Sequence, residues 1–329
     1  MKMILRLLII LFALTILSSC GSSDESQQEN LILSANIAMG SGDCDGAINL
    51  MTSITTPTDN ADFIKTLALS YACKAKFNAT TFITTDLGKF GSDGTFNGTT
   101  LFTTSDDMTS ITDDDWVYLL RAMNTILYAG GLSTEEDPTS SLRLEKFSQD
   151  DLNELEMVLV YLQLVSIGRF FHHHGEANSV GEKKDCLIQY ENVSLNGGTN
   201  LQLLLQADTE SLTGSCTDAN FTTAGVGSSD FGTPGDYNIA RLCEGAMLMN
   251  NFLHVFPSLL ARISGSDFDD IQSMEATMNN LKAALDLLLD GVGTQVSNVL
   301  SQTKCEQLNA SSADKLQVYY MIMLERLFK

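Results

Sequence analysis

Gln149–His173 reads QDDLNELEMVLVYLQLVSIGRFFHH, and this run decides the fold. Ser148 precedes two acids, Asp150 and Asp151, which is the composition of a helix start. Apolar side chains then fall on every side: Met157, Val158, Leu159, Val160, Tyr161, Leu162, Leu164 and Val165. A helix that is apolar all round belongs inside a protein. The run therefore predicts the longest helix of the chain, over about 149–173, at the centre of an all-helical core.

The run ends in His172-His173-His174-Gly175-Glu176, which holds three of the four histidines. Imidazole is a common metal ligand, so His172, His173 and His174 are candidate ligands. Adjacent helical residues point about 100° apart, however, and do not converge on one ion while the helix stays regular. The expectation is a cationic last turn capped by Gly175, with no metal.

Moving outward, capped apolar segments predict helices over 30–40, 44–54 and 61–77. Residues 84–112 are rich in Thr, Ser, Gly and Asp and read as loop. Asp113, Asp114 and Asp115 open a helix carrying Trp116, Leu119, Leu120, Met123 and Leu127, closed by Gly130-Gly131. Three acids at a helix start answer the helix dipole and do not of themselves make a cation site. Residues 132–147 read as linker, and a sub-boundary is placed within 130–148. Residues 176–236 read as a long irregular loop; the glycines at 225, 227 and 232 are not followed by Gly-Lys-Ser/Thr, so no phosphate loop is expected. Helices follow over 237–263 (with Pro257 expected to kink or divide it), 266–290, 294–305 and 313–328. His254 reads as a core residue. The fold class is all-α, a bundle of stacked helical hairpins with long irregular loops.

Composition narrows the partners. The 329 residues carry 19 Lys and Arg against 41 Asp and Glu, a net charge of −22. Removing residues 1–19 would take away two positive charges, Lys2 and Arg6, and leave −24. Phosphates repel such a chain, so nucleic acid is excluded as a partner. Leu, Met and Ala are abundant and only 4 prolines occur, which favours helix.

Around the first predicted helices, Gly42-Asp43-Cys44-Asp45-Gly46-Ala47-Ile48 is similar to the turn between the two helices of a tetratricopeptide repeat. Ala68 and Tyr71 fall where the next repeat keeps a small and an aromatic residue. The resemblance covers about residues 30–85 and implies a helical hairpin stack; no 34-residue period continues downstream. Spacing also predicts a disulfide. If the helices around 44–54 and 61–77 pair antiparallel about the loop 56–60, Cys44 and Cys73 lie equally far from its centre. The remaining Cys186, Cys216, Cys243 and Cys305 can pair in three ways, which spacing leaves open.

The chain starts with Lys2 and Arg6, an apolar stretch of eleven residues (Leu7–Leu17), and then Leu17-Ser18-Ser19-Cys20. This resembles the signal peptide and lipobox of bacterial lipoproteins. The resemblance implies cleavage after residue 19, and Cys20 as a new N-terminus carrying acyl chains such as palmitate. Gly21 stands where the family's inner-membrane retention signal would put Asp, which implies the outer membrane; the periplasmic face is expected, with exposure at the cell surface as the alternative. Residues 20–29 then read as the lipidated cysteine and its tether, and 30–329 as the helical domain.

Catalytic constellations are missing from the sequence: it holds no Gly-x-Ser-x-Gly, no His-Glu-x-x-His and no Cys-x-x-Cys. An enzyme is not expected, nor is a cofactor. The first functional expectation is a scaffold that binds an envelope protein, anchored to the bilayer through acylated Cys20. The second is a small-molecule-binding component of an uptake system, with a pocket between helices. The third is an envelope-polymer hydrolase using paired carboxylates.

Overall fold

A computed structural model describes residues 24–89, 95–191, 193–194, 226–260, 269–289 and 294–328. Helix dominates them, and the strands among them are the two-residue β1 (Gly232–Thr233) and β2 (Asp236–Tyr237), paired antiparallel. The protein is all-α in class. Residues 1–23, with Cys20, and 195–225, with Cys216, lie outside the described residues.

Helix α1 (Asp24–Gly40) is already regular at Asp24, so part of the expected tether is helical. Asp24 and Glu25 stand in its first turn, where the helix dipole favours negative charge. Gly42 turns the chain at φ 80°, and α2 (Cys44–Met51) starts at once. Asp43 caps α2 by accepting from the Gly46 N–H at 2.9 Å. A Cβ on residue 46 would fall 2.1 Å from Asp43 Oδ2, so glycine there leaves room for the cap. Asn60 caps α3 (Ala61–Lys74) by accepting from the Phe63 N–H at 2.9 Å. The three helices share a small core of Ala35, Ala47, Met51, Phe63 and Leu67. Cys44 and Cys73 are bridged across α2 and α3 with Cα atoms 5.5 Å apart, in the antiparallel register that spacing predicts.

The stretch read as loop from residue 84 is partly helical: a π-helical turn, Phe82–Asp86, and 3-10 turns at Leu87–Lys89 and Asn97–Leu101. A polar hub replaces apolar periodicity there. Buried Asp86 accepts from the N–H groups of Thr103 and Thr104 at 3.0 and 2.9 Å and from Lys89 Nζ at 2.7 Å.

Asp113 caps α4 (Asp114–Leu127), and Asp115 pairs with Lys76 Nζ at 2.9 Å. The segment read as linker holds a short helix, Ser140–Leu144. Its Arg143 is fully buried and donates to Glu156 Oε1 at 3.0 Å and to the carbonyls of Leu127 and Pro138. The main core draws residues from both sides of 130–148.

Helix α5 (Gln149–Gly175) contains the predicted run and lies at the centre. A stretch of it is apolar enough to cross a membrane, yet 78 % of that stretch is buried inside the protein, as in a core helix. Gly175 is not the cap. It is the last helical residue, and Glu176 takes the left-handed conformation at φ 48°. A Cβ on residue 175 would lie 2.5 Å from the Phe328 ring, so the glycine serves close packing.

Helix α6 (Ile239–Leu260) runs through Pro257 undivided. That proline removes the N–H that would bond the Leu253 carbonyl, but buried Phe252, Val255 and Phe256 hold the turns before it. His254 is surface-placed, not core: its Nε2 accepts from the Ser140 N–H at 3.1 Å. After α7 (Asp269–Leu288), the helix predicted over 294–305 breaks into Thr294–Ser297 and α8 (Gln302–Asn309). Helix α9 (Asp314–Tyr319) continues through a π turn, Tyr320–Leu324, into Glu325–Leu327. Its buried Glu325 meets buried Lys183 Nζ at 2.6 Å and accepts from the Leu187 N–H and the Tyr190 hydroxyl, both at 2.8 Å. This ties residues 183–190, read as loop, to the core. Cys243 and Cys305 bridge α6 to α8, and Cys186 is disulfide-bonded as well.

Candidate functional site

Helices α4, α5, α6 and α8 line an open-mouthed cavity of about 420 Å³. The spacing of its lining residues shows why. On α4, Leu120, Met123 and Leu127 recur at helical intervals, as do Glu244, Met247, Leu248 and Asn251 on α6. Each set presents one face. Gln302 and Glu306 do the same from α8, and Gln163 comes from α5. The Cys243–Cys305 bridge, with Cα atoms 5.8 Å apart, joins the α6 and α8 walls one residue from Glu244 and Glu306.

The charged groups at the rim are spoken for. Glu244 accepts from Trp116 Nε1 at 3.0 Å and from Arg241 Nη1 at 2.5 Å. Burial raises the Glu244 pKa, and the Arg241 charge opposes that shift. Gln302 Nε2 donates to Glu306 Oε1 at 2.6 Å and to the Ala240 carbonyl at 2.7 Å.

Two amides inside it are different. Asn251 Nδ2 donates to the carbonyls of Met247 and Leu300, both at 2.9 Å, but its Oδ1 has no hydrogen-bond partner among the described residues. Gln163 is fully buried, and neither its Oε1 nor its Nε2 has a partner among the described residues. A buried amide left unbonded costs on the order of 1–3 kcal/mol, and most such groups in proteins are satisfied. Here an acceptor and a donor sit side by side among Leu and Met side chains. Both atoms are closed off from the open space, so a molecule with a matching donor–acceptor edge, such as an amide or a nucleobase, would complete both bonds once the lining side chains give way.

The candidate metal ligands divide. His172 is partly exposed, with Nδ1 4.0 Å from Asp107 Oδ1. His173 and His174 lie together, ring centroids 4.7 Å apart, although neighbours on a helix diverge. The 3-10 turn Val226–Phe231 crosses the end of α5 and gathers them. His173 Nε2 is 3.3 Å from Asp230 Oδ2, and His174 Nδ1 is 2.9 Å from the Gly227 carbonyl. Burial, with the neighbouring His173 charge, lowers the His174 pKa to about 3, so its ring is neutral at ordinary pH.

Neither Gln163 nor Asp230 stands out as a site residue in the sequence. Gln163 had a signal, an uncharged polar residue inside a run apolar on every side. Asp230 had none, because its partners lie 56 and 57 residues earlier. No protein-family model, no curated protein and no solved structure matches the chain. Its function is therefore argued from its own residues.

Proposed function

We propose that this protein is an exported, lipid-anchored helical domain that binds a small molecule in the cavity between α4, α5, α6 and α8. The observation that carries the binding reading is Gln163, wholly buried at the cavity with both amide atoms unbonded among the described residues. The ligand class is a compact, largely apolar molecule carrying an amide-like edge and little net charge. The volume lies in the range of small-molecule sites, about 300–1,000 Å³.

Saturation-transfer NMR on the full-length protein tests this against a panel of small primary amides and nucleobases. At least one class should bind with a Kd below about 1 mM, and Gln163→Leu should weaken it about 5–150-fold, the equivalent of 1–3 kcal/mol. Silence across the panel, or equal binding by Gln163→Leu, refutes the reading.

The anchor rests on Leu17-Ser18-Ser19-Cys20 and its likeness to a lipobox. Acyl chains on Cys20 would hold the domain at the periplasmic face of the outer membrane. Labelled palmitate should enter the wild-type protein and not Cys20→Ala; equal labelling of both would refute the anchor.

A second reading, a scaffold for an envelope protein, is favoured by one observation. Leu33 and Ile37 lie one turn apart on α1 and are 60 % and 66 % exposed. In this reading α1–α3, like a tetratricopeptide hairpin, present that apolar pair to a partner.

A further inference from the structure

We propose that His173, His174 and Asp230 bind a divalent transition-metal ion at the end of α5, a site separate from the cavity. Each of the three offers one ligand atom, and these atoms all lie within 4.8 Å of one another. His173 Nε2 and Asp230 Oδ2 are already 3.3 Å apart. That is close to the separation of two donors on a tetrahedral ion with bonds of about 2.0–2.2 Å. Bringing the widest pair to the same spacing takes about 1.4 Å of combined side-chain movement on those bond lengths.

The surroundings orient the donors. A carbonyl oxygen only accepts, so the 2.9 Å contact of His174 Nδ1 with the Gly227 carbonyl puts the proton on Nδ1. Nε2 is left with its lone pair. Metal-binding histidines are held in this way, by a carbonyl or carboxylate on the far nitrogen. Gly227 also lets the backbone approach: a Cβ on it would fall 2.6 Å from His173 Cδ2. The rings of Phe170 and Phe231 lie 4.5 and 4.3 Å from that of His174 and form an apolar wall behind it. Asp230 and His173 are only partly buried, so an ion can reach them from solvent. Two imidazoles and one carboxylate suit zinc and its neighbours better than calcium or magnesium, which prefer oxygen. Three protein donors leave a fourth position to water.

The test uses chelator-stripped full-length protein and zinc chloride in calorimetry. One zinc should bind with a Kd in the micromolar range or tighter. His173→Gln and Asp230→Asn should each weaken it at least 10-fold, and His172→Ala should leave it unchanged. Circular dichroism confirms that each variant is folded. Cobalt(II) on the wild-type protein gives an arm that needs no variant: two imidazole signals shifted by the paramagnetic ion are expected. Zinc affinity unaffected by both site variants, no binding tighter than about 1 mM, or fewer than two shifted imidazoles overturns the proposal. Those outcomes would make the cluster a plain His173–Asp230 ion pair.

Discussion

Glu325→Ala is expected to remove about 3–5 kcal/mol of stability in a denaturant titration. The carboxylate is fully buried and is the hub for Lys183 Nζ at 2.6 Å and for the Leu187 N–H and the Tyr190 hydroxyl at 2.8 Å. Its removal takes from the buried Lys183 ammonium the carboxylate it meets at 2.6 Å, and from the Leu187 N–H and the Tyr190 hydroxyl their acceptor. Taking both charges away together should be far milder, because the cost lies in the uncompensated ion and not in the loss of the pair. The double variant Lys183→Met, Glu325→Leu should therefore recover most of the loss. A single-variant loss below about 1 kcal/mol would show that the pair does not hold residues 183–190 to the core.

Leu162→Ala should cost about 2–5 kcal/mol, the usual range for a leucine removed from a packed core. Leu162 sits midway along α5 with no exposed surface. The cost combines the lost transfer of apolar atoms from water with the cavity left behind. The control is Leu33→Ala on the exposed face of α1, where a change within about 0.5 kcal/mol is expected. A near-zero effect at Leu162 would mean that the middle of α5 can collapse around the gap.

The elements readable from the sequence were those whose cause is local. The all-round apolar run of α5 needed no knowledge of its neighbours. Asp43, Gly42 and Gly46 specify the turn between α1 and α2 within a few residues of one another. The Cys44–Cys73 bridge came from symmetry about a short loop. Elements organised by distant partners stayed hidden. Residues 84–104 have loop composition, and the helical turns described within 82–89 and 95–104 gather around the buried Asp86 carboxylate. Arg143 looked like linker because its acceptors, Glu156 and two carbonyls, come together only on folding. Pro257 signalled a break, but the packing of Phe252, Val255 and Phe256 carries α6 through it. Gly175 signalled a cap, but the ring it makes room for, Phe328, is 153 residues away. The site divides in the same way. Gln163 is conspicuous within its run once polarity is weighed there, whereas no local pattern joins His173 and His174 to Asp230.

The place of α9 and its continuation bears on the order in which the molecule can be finished. Phe328 stacks on Phe171 with ring centroids 4.8 Å apart, and the Phe96 N–H donates to the Leu327 carbonyl at 2.6 Å. Lys183 reaches Glu325 across 142 residues. At a synthesis rate of about 5–20 residues per second, that interval alone lasts roughly 7–28 s. Until it has passed, Phe171 lacks the ring that stacks on it and Lys183 lacks the Glu325 carboxylate. The segment 314–328 thus works as a keystone: the earlier helices can form and pack, but the end of α5 and residues 183–190 complete their contacts only when it arrives, and a nascent chain held short of residue 314 leaves them more open to chaperones and proteases.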